Sequence, residues 1–357
     1  MFRSGYGIRF AANIITVPKM NSTIVSRLSH EYLPVFEEKL RSIVMDSTVA
    51  TKLVGQMLHY HMGWGDVLKS ESSLGKRIRP LLTLLCTEAA GGHWRKAISI
   101  AAAVELIHNF SLIHDDIQDK SSLRRGRPTV WSLWGAEQAI NAGDALFAHA
   151  HLVLQKECAL SSDSKLDVLR LLDEACLSLT EGQAADIEFE RKNQIDLEMY
   201  MNMIEGKTAS LIAVSTELGA LVSGASLQQR MCYRDFGYAL GVAYQVRDDI
   251  LGVWGRSSTT GKPTGDDLRA RKKTLPIILG LERSDELRVL YKQAPQNDSE
   301  VETVITILEE TGVLEEVTNI EFDKVEIALR KLSNACPKGV AGDALVALVR
   351  QLLGREC

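Results

Sequence analysis

The chain has 357 residues, 45% hydrophobic and 24% charged, with a formal net charge of −5. That is ordinary globular composition, long enough for one large domain or two, and its negative balance argues against a nucleic-acid partner. Six cysteines at 86, 158, 176, 232, 336 and 357 form no CxxC pair and no Cys/His cluster, which argues against a zinc module and for reduced thiols in the cytoplasm.

Arg3, Arg9, Lys19 and Arg27 precede the first acid, Glu31. A basic, acid-free start is read as a leader over 1–30, disordered or of the transit type, so organelle targeting stands beside the cytoplasmic reading. The folded domain is expected over 31–357, with no apolar run long enough for a transmembrane segment. Apolar spacing predicts helix over 33–58, then a loop or broken helix over 59–74. His59 and His61 are two apart and have no carboxylate nearby, so they are read as surface or packing side chains. GKRIRP (75–80) is a Gly-opened, Pro-closed junction into a helix. Lys76 and Arg79, one turn apart beside free N–H groups, favour a phosphate. Arg77 is read as a solvated basic cap.

Helix is expected over 81–90 and over 96–119. The second carries Asp115, Asp116 and Asp119 on an otherwise apolar run. At about 3.6 residues per turn, Asp115 and Asp119 share a face. Two carboxylates there repel and cost desolvation unless a cation lies between them. Mg²⁺ suits this role, because it takes one or two carboxylates and completes its shell with water and phosphates. Arg124, Arg125 and Arg127 follow closely and would hold phosphate oxygens that the metal does not reach.

A small-residue helix is expected over 141–154. The next, over 166–190, carries Gln183 and Asp186 three apart. Helix 199–221 contains Lys207 and Thr208 in a GKT triplet, which is not a P-loop, since neither the GxxxxGK[ST] run nor a preceding strand is present. Helix 236–254 carries Gln245, Asp248 and Asp249, and a charged loop follows with Lys262, Lys272 and Lys273. Amphipathic helices fill 277–353. With no strand series, the fold class is all-α, one large helical bundle.

Two acidic patches ringed by Lys76, Arg79, Arg124, Arg125, Lys207, Lys262 and Lys272 would bind a polyphosphate through several Mg²⁺ ions. The helices between them are apolar, so the ligand implied has a diphosphate head and a hydrocarbon tail. The chemistry suggested is ionisation of an allylic diphosphate, with the leaving group stabilised as charge develops and water kept away.

Eight motifs in order carry a resemblance: GKRIRP (75–80), HNFSLIHDDIQD (108–119), RRGRPT (124–129), GDALFA (143–148), EGQAADIE (181–188), GKTASL (206–211), YQVRDDILG (244–252) and GKPTGDDLRARKKTLP (261–276). With them the chain resembles the trans-type polyprenyl diphosphate synthases, most of all those making geranylgeranyl diphosphate. The resemblance implies an isoprenoid-synthase bundle around a central cavity, usually a homodimer. It implies condensation of isopentenyl diphosphate with an allylic diphosphate, using about three Mg²⁺ ions per site. By position, Asp115, Asp119 and Asp248 would be the metal ligands, and the catalytic set would be Asp115, Asp116, Asp119, Lys207, Gln245, Asp248 and Asp249. Lys76, Arg79, His108 and Arg125 would form the isopentenyl diphosphate site. Arg124, Lys207, Thr208, Gln245, Lys262 and Lys272 would form the allylic site.

One departure stands out. Where the family has a second DDxxD, this chain has Asp248-Asp249-Ile250-Leu251-Gly252. Asp266 or Asp267 would compensate through a water, or the last acid is dispensable. In the family resembled, bulky residues just before the first motif floor the tunnel that takes the tail. That makes Phe110 and Ser111, five and four residues before Asp115, the expected chain-length residues. Ser111 is too small to stop a fifteen-carbon tail and Phe110 would stop it further on, implying a twenty-carbon product, with fifteen and twenty-five carbons as the alternatives. Two rival readings are a class I terpene cyclase or diphosphate hydrolase on the same scaffold, and a non-catalytic subunit of a heteromeric synthase. The first needs no isopentenyl site, and the second tends to lose the charged residues that this chain keeps.

Overall fold

The computed structural model describes residues 21–45, 52–64, 75–158, 160–192, 194–255 and 264–353. Lys262 and residues 1–20 of the expected leader lie outside them. Helix α1 (Asn21–Met45) starts ahead of the expected boundary at 31. Its Val25, Leu28, Tyr32, Phe36, Leu40 and Val44 recur at three- and four-residue spacing and are all buried, so the chain from Asn21 onward belongs to the bundle. α2 (Lys52–His61) follows, dividing the stretch expected as one helix.

α3 (Ile78–Ala89) and a 3₁₀ turn (Trp94–Ala97) lead into α4 (Ile98–Gln118). Trp94–Gln118 is in fact long and apolar enough to cross a bilayer by length and composition, contrary to the expectation. It is apolar on all sides because it runs through the middle of the bundle, against α1, α3, α6 and α9. Ile100 to Ile107 are buried without a break, and Ala101, Ala102 and Ala103 let neighbouring helices approach closely. After α4, Leu123–Arg124 pairs antiparallel with Arg127–Pro128 around Arg125 and Gly126. Both turn residues have positive φ, 53° and 72°, as a two-residue hairpin turn of this hand requires.

α5 (Val130–Trp134), α6 (Ala136–Glu157) and α7 (Ser162–Phe189) come next. α8 (Leu197–Ile204), a five-residue π turn (Glu205–Ala209) and α9 (Ser210–Val222) then form one path, where a single helix was expected. α10 (Leu227–Trp254) is followed by α11 (Asp266–Arg269), α12 (Leu275–Arg283), α13 (Asp285–Leu290), α14 (Asp298–Glu310), α15 (Val313–Asn334) and α16 (Gly339–Leu353). Ser161, Asp196 and Ser226 cap α7, α8 and α10, each side chain accepting from a backbone N–H three residues on.

The apolar side chains form two cores. One gathers α1, α3, α4, α6, α9, α16 and the first half of α10. The other gathers α8, the second half of α10 and α11 to α15. The π turn lies at their junction: Ala209 packs in the second core and Leu211 in the first. That junction is where the charged motifs meet.

Candidate active site

Asp115 sits in the last turn of α4, and Asp119 is its C-terminal cap residue. Arg124, from the first strand of the hairpin, donates to Asp116 Oδ1 at 2.8 Å and to Asp115 Oδ2 at 3.0 Å. The tight hairpin turn folds the arginine back onto the acids. Asp116 is nearly fully buried, and burial pushes its carboxyl up to about 6, with Arg124 opposing. Asp119 is also raised, by burial and then by the neighbouring Asp115 charge.

The basic cluster lies on α3 and α4. An Arg79 guanidinium N–H donates to His108 Nε2 at 3.2 Å. Guanidinium only donates, so Nε2 carries no proton and the imidazole is neutral. Burial, then Arg79, Arg125, Arg124 and Arg77, hold the His108 pKa well below its ordinary value. The charges of Glu105 and Asp248 act on Arg79 in the opposite sense to its burial. Arg125 lies across Gly75, where an added Cβ would come within 2.8 Å of its guanidinium. Lys76 is exposed in the loop before α3 and is not on a shared helical turn with Arg79. Arg77 is not a solvated cap. It is buried, with ion pairs to Glu37 at 2.5 Å and Glu105 at 2.6 Å, because only paired can its charge remain in the core.

The π turn reaches both acidic motifs with consecutive residues. Lys207 Nζ lies 2.5 Å from Asp186 Oδ2 on α7 and 3.4 Å from Asp115 Oδ1 on α4. Its pKa is raised: burial works against the charge, and Asp186 and Asp115 outweigh it. Thr208 Oγ1 donates to Gln245 Oε1 at 2.7 Å, and Gln245 Nε2 donates to Asp249 Oδ1 at 2.9 Å. Gly182 of α7 makes the first contact possible: a Cβ there would fall 2.2 Å from the Lys207 backbone nitrogen.

On α10, Asp248 is half-buried and Asp249 fully so. Asp249 Oδ2 accepts from Tyr200 Oη at 2.6 Å and from the Leu275 N–H at 2.9 Å. Burial raises its pKa to about 7. Asp249 therefore ties α8, α10 and the start of α12 together, a role its place in the motif does not disclose. Tyr200, Asp186 and Glu105 are the partners that sequence reasoning missed or left without a role. Only Asp186, on a face shared with Gln183, had a sequence signal. Lys272 lies 3.7 Å from Asp267 Oδ1, and its charge also acts on Asp119. Phe110 packs edge-on against Phe147 of α6, ring centroids 5.3 Å apart, and against His114 at 4.8 Å. The Ser111 hydroxyl donates to the His108 carbonyl of its own helix.

Among the described residues, no three His, Cys, Asp or Glu side chains converge on a metal position by themselves. Asp115 Oδ1 is nevertheless a buried carboxylate oxygen that accepts no hydrogen bond among them and has only the Lys207 ammonium nearby, at 3.4 Å. An oxygen donor of that kind, on a carboxylate pair one turn apart, fits Mg²⁺ that takes the rest of its shell from phosphate and water. The geometry offers two acidic ends, a neutral imidazole among arginines and a lysine between carboxylates. It can bind diphosphate groups and stabilise one as it leaves.

Residues 67–308 match the polyprenyl synthetase family model. A geranylgeranyl diphosphate synthase of Mycobacterium tuberculosis is 36% identical over 97% of this chain and 98% of its own length. A (2E,6E)-farnesyl diphosphate synthase of the same species is 47% identical over 225 residues, 62% of this chain and 61% of that protein, so the match spans under two thirds of that relative. The crystal structure of geranylgeranyl pyrophosphate synthetase from Pyrococcus horikoshii superposes with a TM-score of 0.84 at 32% identity, covering 94% of this chain and 99% of that one. The all-α bundle, the order of its motifs and these likenesses agree: the chain belongs to the polyprenyl synthetase family.

Proposed function

We propose that this chain is a Mg²⁺-dependent prenyltransferase that joins isopentenyl diphosphate head to tail to an allylic diphosphate, giving an all-trans prenyl diphosphate. The observation that carries the reading is the π turn, whose consecutive Lys207 and Thr208 reach Asp115 of the first motif and Gln245 of the second. Asp115, Asp119 and Asp248 would hold the Mg²⁺, about three ions per site. When bound, the metal neutralises the diphosphate and stabilises it as it departs.

The chain's own residues do the remainder. Arg124, Lys207, Thr208, Gln245, Lys262 and Lys272 bind the allylic diphosphate and orient its scissile C–O bond. Lys76, Arg79, His108 and Arg125 hold isopentenyl diphosphate with its double bond toward the allylic carbon. Neutral His108 accepts from Arg79 and so fixes the direction of that guanidinium. The apolar stretch of α4 before Asp115 keeps water from the cation. The proton lost from the new carbon chain passes to the departing diphosphate. Each ~1.36 kcal/mol of leaving-group stabilisation is a factor of ten in rate.

The product proposed is geranylgeranyl diphosphate. Small Ser111 and large Phe110 support it, as does the likeness to a geranylgeranyl diphosphate synthase along nearly the whole chain. A homodimer is supported by exposed apolar side chains on α5 to α7, namely Leu133, Ile140, Leu152, Leu166 and Leu177. The five described cysteines are free, which supports a cytoplasmic setting.

The test is incubation with Mg²⁺, isopentenyl diphosphate and each of dimethylallyl, geranyl and farnesyl diphosphates, with products identified by mass spectrometry. Chain elongation is expected with all three. Product formed from farnesyl diphosphate alone would favour a cyclase, and inertness relieved only by a second synthase would favour a partner subunit.

A further inference from the structure

The second motif ends on Gly252, where the sequence pattern calls for an acid. Gly252 lies within α10, which has no turn there that calls for glycine. A Cβ added to it would fall 1.9 Å from Asp267 Oδ2 and 2.6 Å from Asp267 Cγ. The carboxylate of Asp267 thus occupies the volume that a side chain at 252 would fill. We propose that Asp267 supplies the acid missing from the second motif, its carboxylate seated on α10 in the space that Gly252 leaves, so that the two positions have exchanged roles. The inference rests on the diphosphate-binding reading above.

Three features show a carboxylate delivered to this place rather than lying there by default. α11, which carries Asp267, is anchored without it: Leu268 is fully buried, Arg269 pairs with Asp298, and Arg271 Nε donates to the Tyr291 carbonyl at 3.2 Å. The turn into α11 is fixed by Gly265 at φ 72°, a left-handed conformation that glycine adopts at little cost. The Asp267 side chain is only 15% exposed, and Lys272 Nζ lies 3.7 Å from its Oδ1. Its charge is felt at Asp249 and Tyr200, the buried pair adjoining Asp248. A second acid is thereby returned to the end of α10 from α11, and Lys272 is brought with it.

The fold separates support from occupancy. Because α11 is held by Leu268, Arg269 and Arg271, removing the Asp267 carboxylate leaves its anchors intact. Any side chain at 252, even a methyl, must push that carboxylate away.

The experiment measures binding of Mg²⁺ with inorganic pyrophosphate to the full chain by titration calorimetry, with the melting temperature of each variant before ligand is added. D267N and G252A are each expected to weaken binding about tenfold, in the range seen when groups supporting a metal site are removed, with melting temperatures near wild type. The D267N/G252A double variant should be no weaker than either single one, since both remove the same carboxylate from the same place. G252D/D267A, which moves the acid back onto α10, should recover binding to within about threefold. Unchanged affinity in D267N, or additive losses in the double variant, would overturn the proposal. If wild type itself failed to bind Mg²⁺-pyrophosphate, the functional reading would fall first, and the two failures are thus distinct.

Discussion

Lys207 Nζ lies between two carboxylates, 2.5 Å from Asp186 and 3.4 Å from Asp115. The lysine proposed for the allylic diphosphate is therefore already paired with the acid proposed for the metal. Lys207→Ala removes a positioned cation from a half-buried site and leaves Asp115 and Asp186 facing each other. It is expected to lower kcat/KM for the allylic substrate about 10²-fold, the loss typical of one charge-stabilising donor. Steady-state kinetics at saturating isopentenyl diphosphate check this, and a loss below threefold would detach Lys207 from the chemistry.

Asp115→Ala takes away the buried oxygen that has no hydrogen-bond partner among the described residues. Turnover is expected to fall by several orders of magnitude, since each ~1.36 kcal/mol of lost stabilisation is tenfold in rate. The readout is a radiolabelled isopentenyl diphosphate assay across a range of Mg²⁺ concentrations. Activity within threefold of wild type would exclude a metal-holding role.

Phe110 meets Phe147 edge to face at 5.3 Å. Phe110→Ala opens the wall between α4 and α6, and the product is expected to lengthen by at least one isoprene unit. Mass spectrometry of dephosphorylated products decides it, and an unaltered distribution would place the stop elsewhere.

The Arg77–Glu105 pair has both side chains almost wholly buried and is 2.6 Å long. Glu105→Ala leaves the guanidinium with only Glu37 and is expected to cost about 3–5 kcal/mol, the loss typical when one partner of a buried pair is removed. Urea denaturation measures it as a lower midpoint at constant slope. A change under 1 kcal/mol would mean that Glu37 suffices.

His61 lines a small cleft with Asp116, Arg124 and Arg125. Burial, then Arg124 and Arg125, lower its pKa from 6.5 to about 3. The unfolded imidazole takes a proton near 6.5, while the folded one resists until about 3. Its neutral burial therefore favours the fold fully above 6.5, and that advantage is lost as the pH falls through this window. The melting temperature of His61→Phe should drop less between pH 7 and pH 4.5 than that of wild type. Parallel drops would show that His61 is not the group responsible.

Much of this was legible in the sequence because helical periodicity is local. α4, α6, α7 and α10 follow from their apolar spacing to within a turn or so at most ends. Asp115, Asp119, Arg124 and Asp248 could be named because charge on an apolar helix is conspicuous. Arg77 shows the limit: its partners Glu37 and Glu105 lie far away in the sequence, so nothing nearby distinguishes a buried cation from a solvated one. Tyr200 was silent for the same reason, since its carboxylate partner Asp249 sits two helices later. The π turn escaped because its composition is helical, and the α7 backbone that packs against it at Gly182 lies well away in the sequence. Gly252 read as a loss until the Asp267 carboxylate was found in its place.

The widened turn between Glu205 and Ala209 has a mechanical corollary. A π helix closes its hydrogen bonds five residues back rather than four, so it stores one residue more than an α turn of the same height. Deleting a single residue there would draw α8 and α9 toward one regular α-helix. The same deletion would rotate one of two neighbouring side chains by about 100°, parting either the amine from its acids or the hydroxyl from its amide. The distance between the two halves of the proposed site is thus metered by main-chain length at one spot, and the loss of a single residue there would be felt first in how those halves meet.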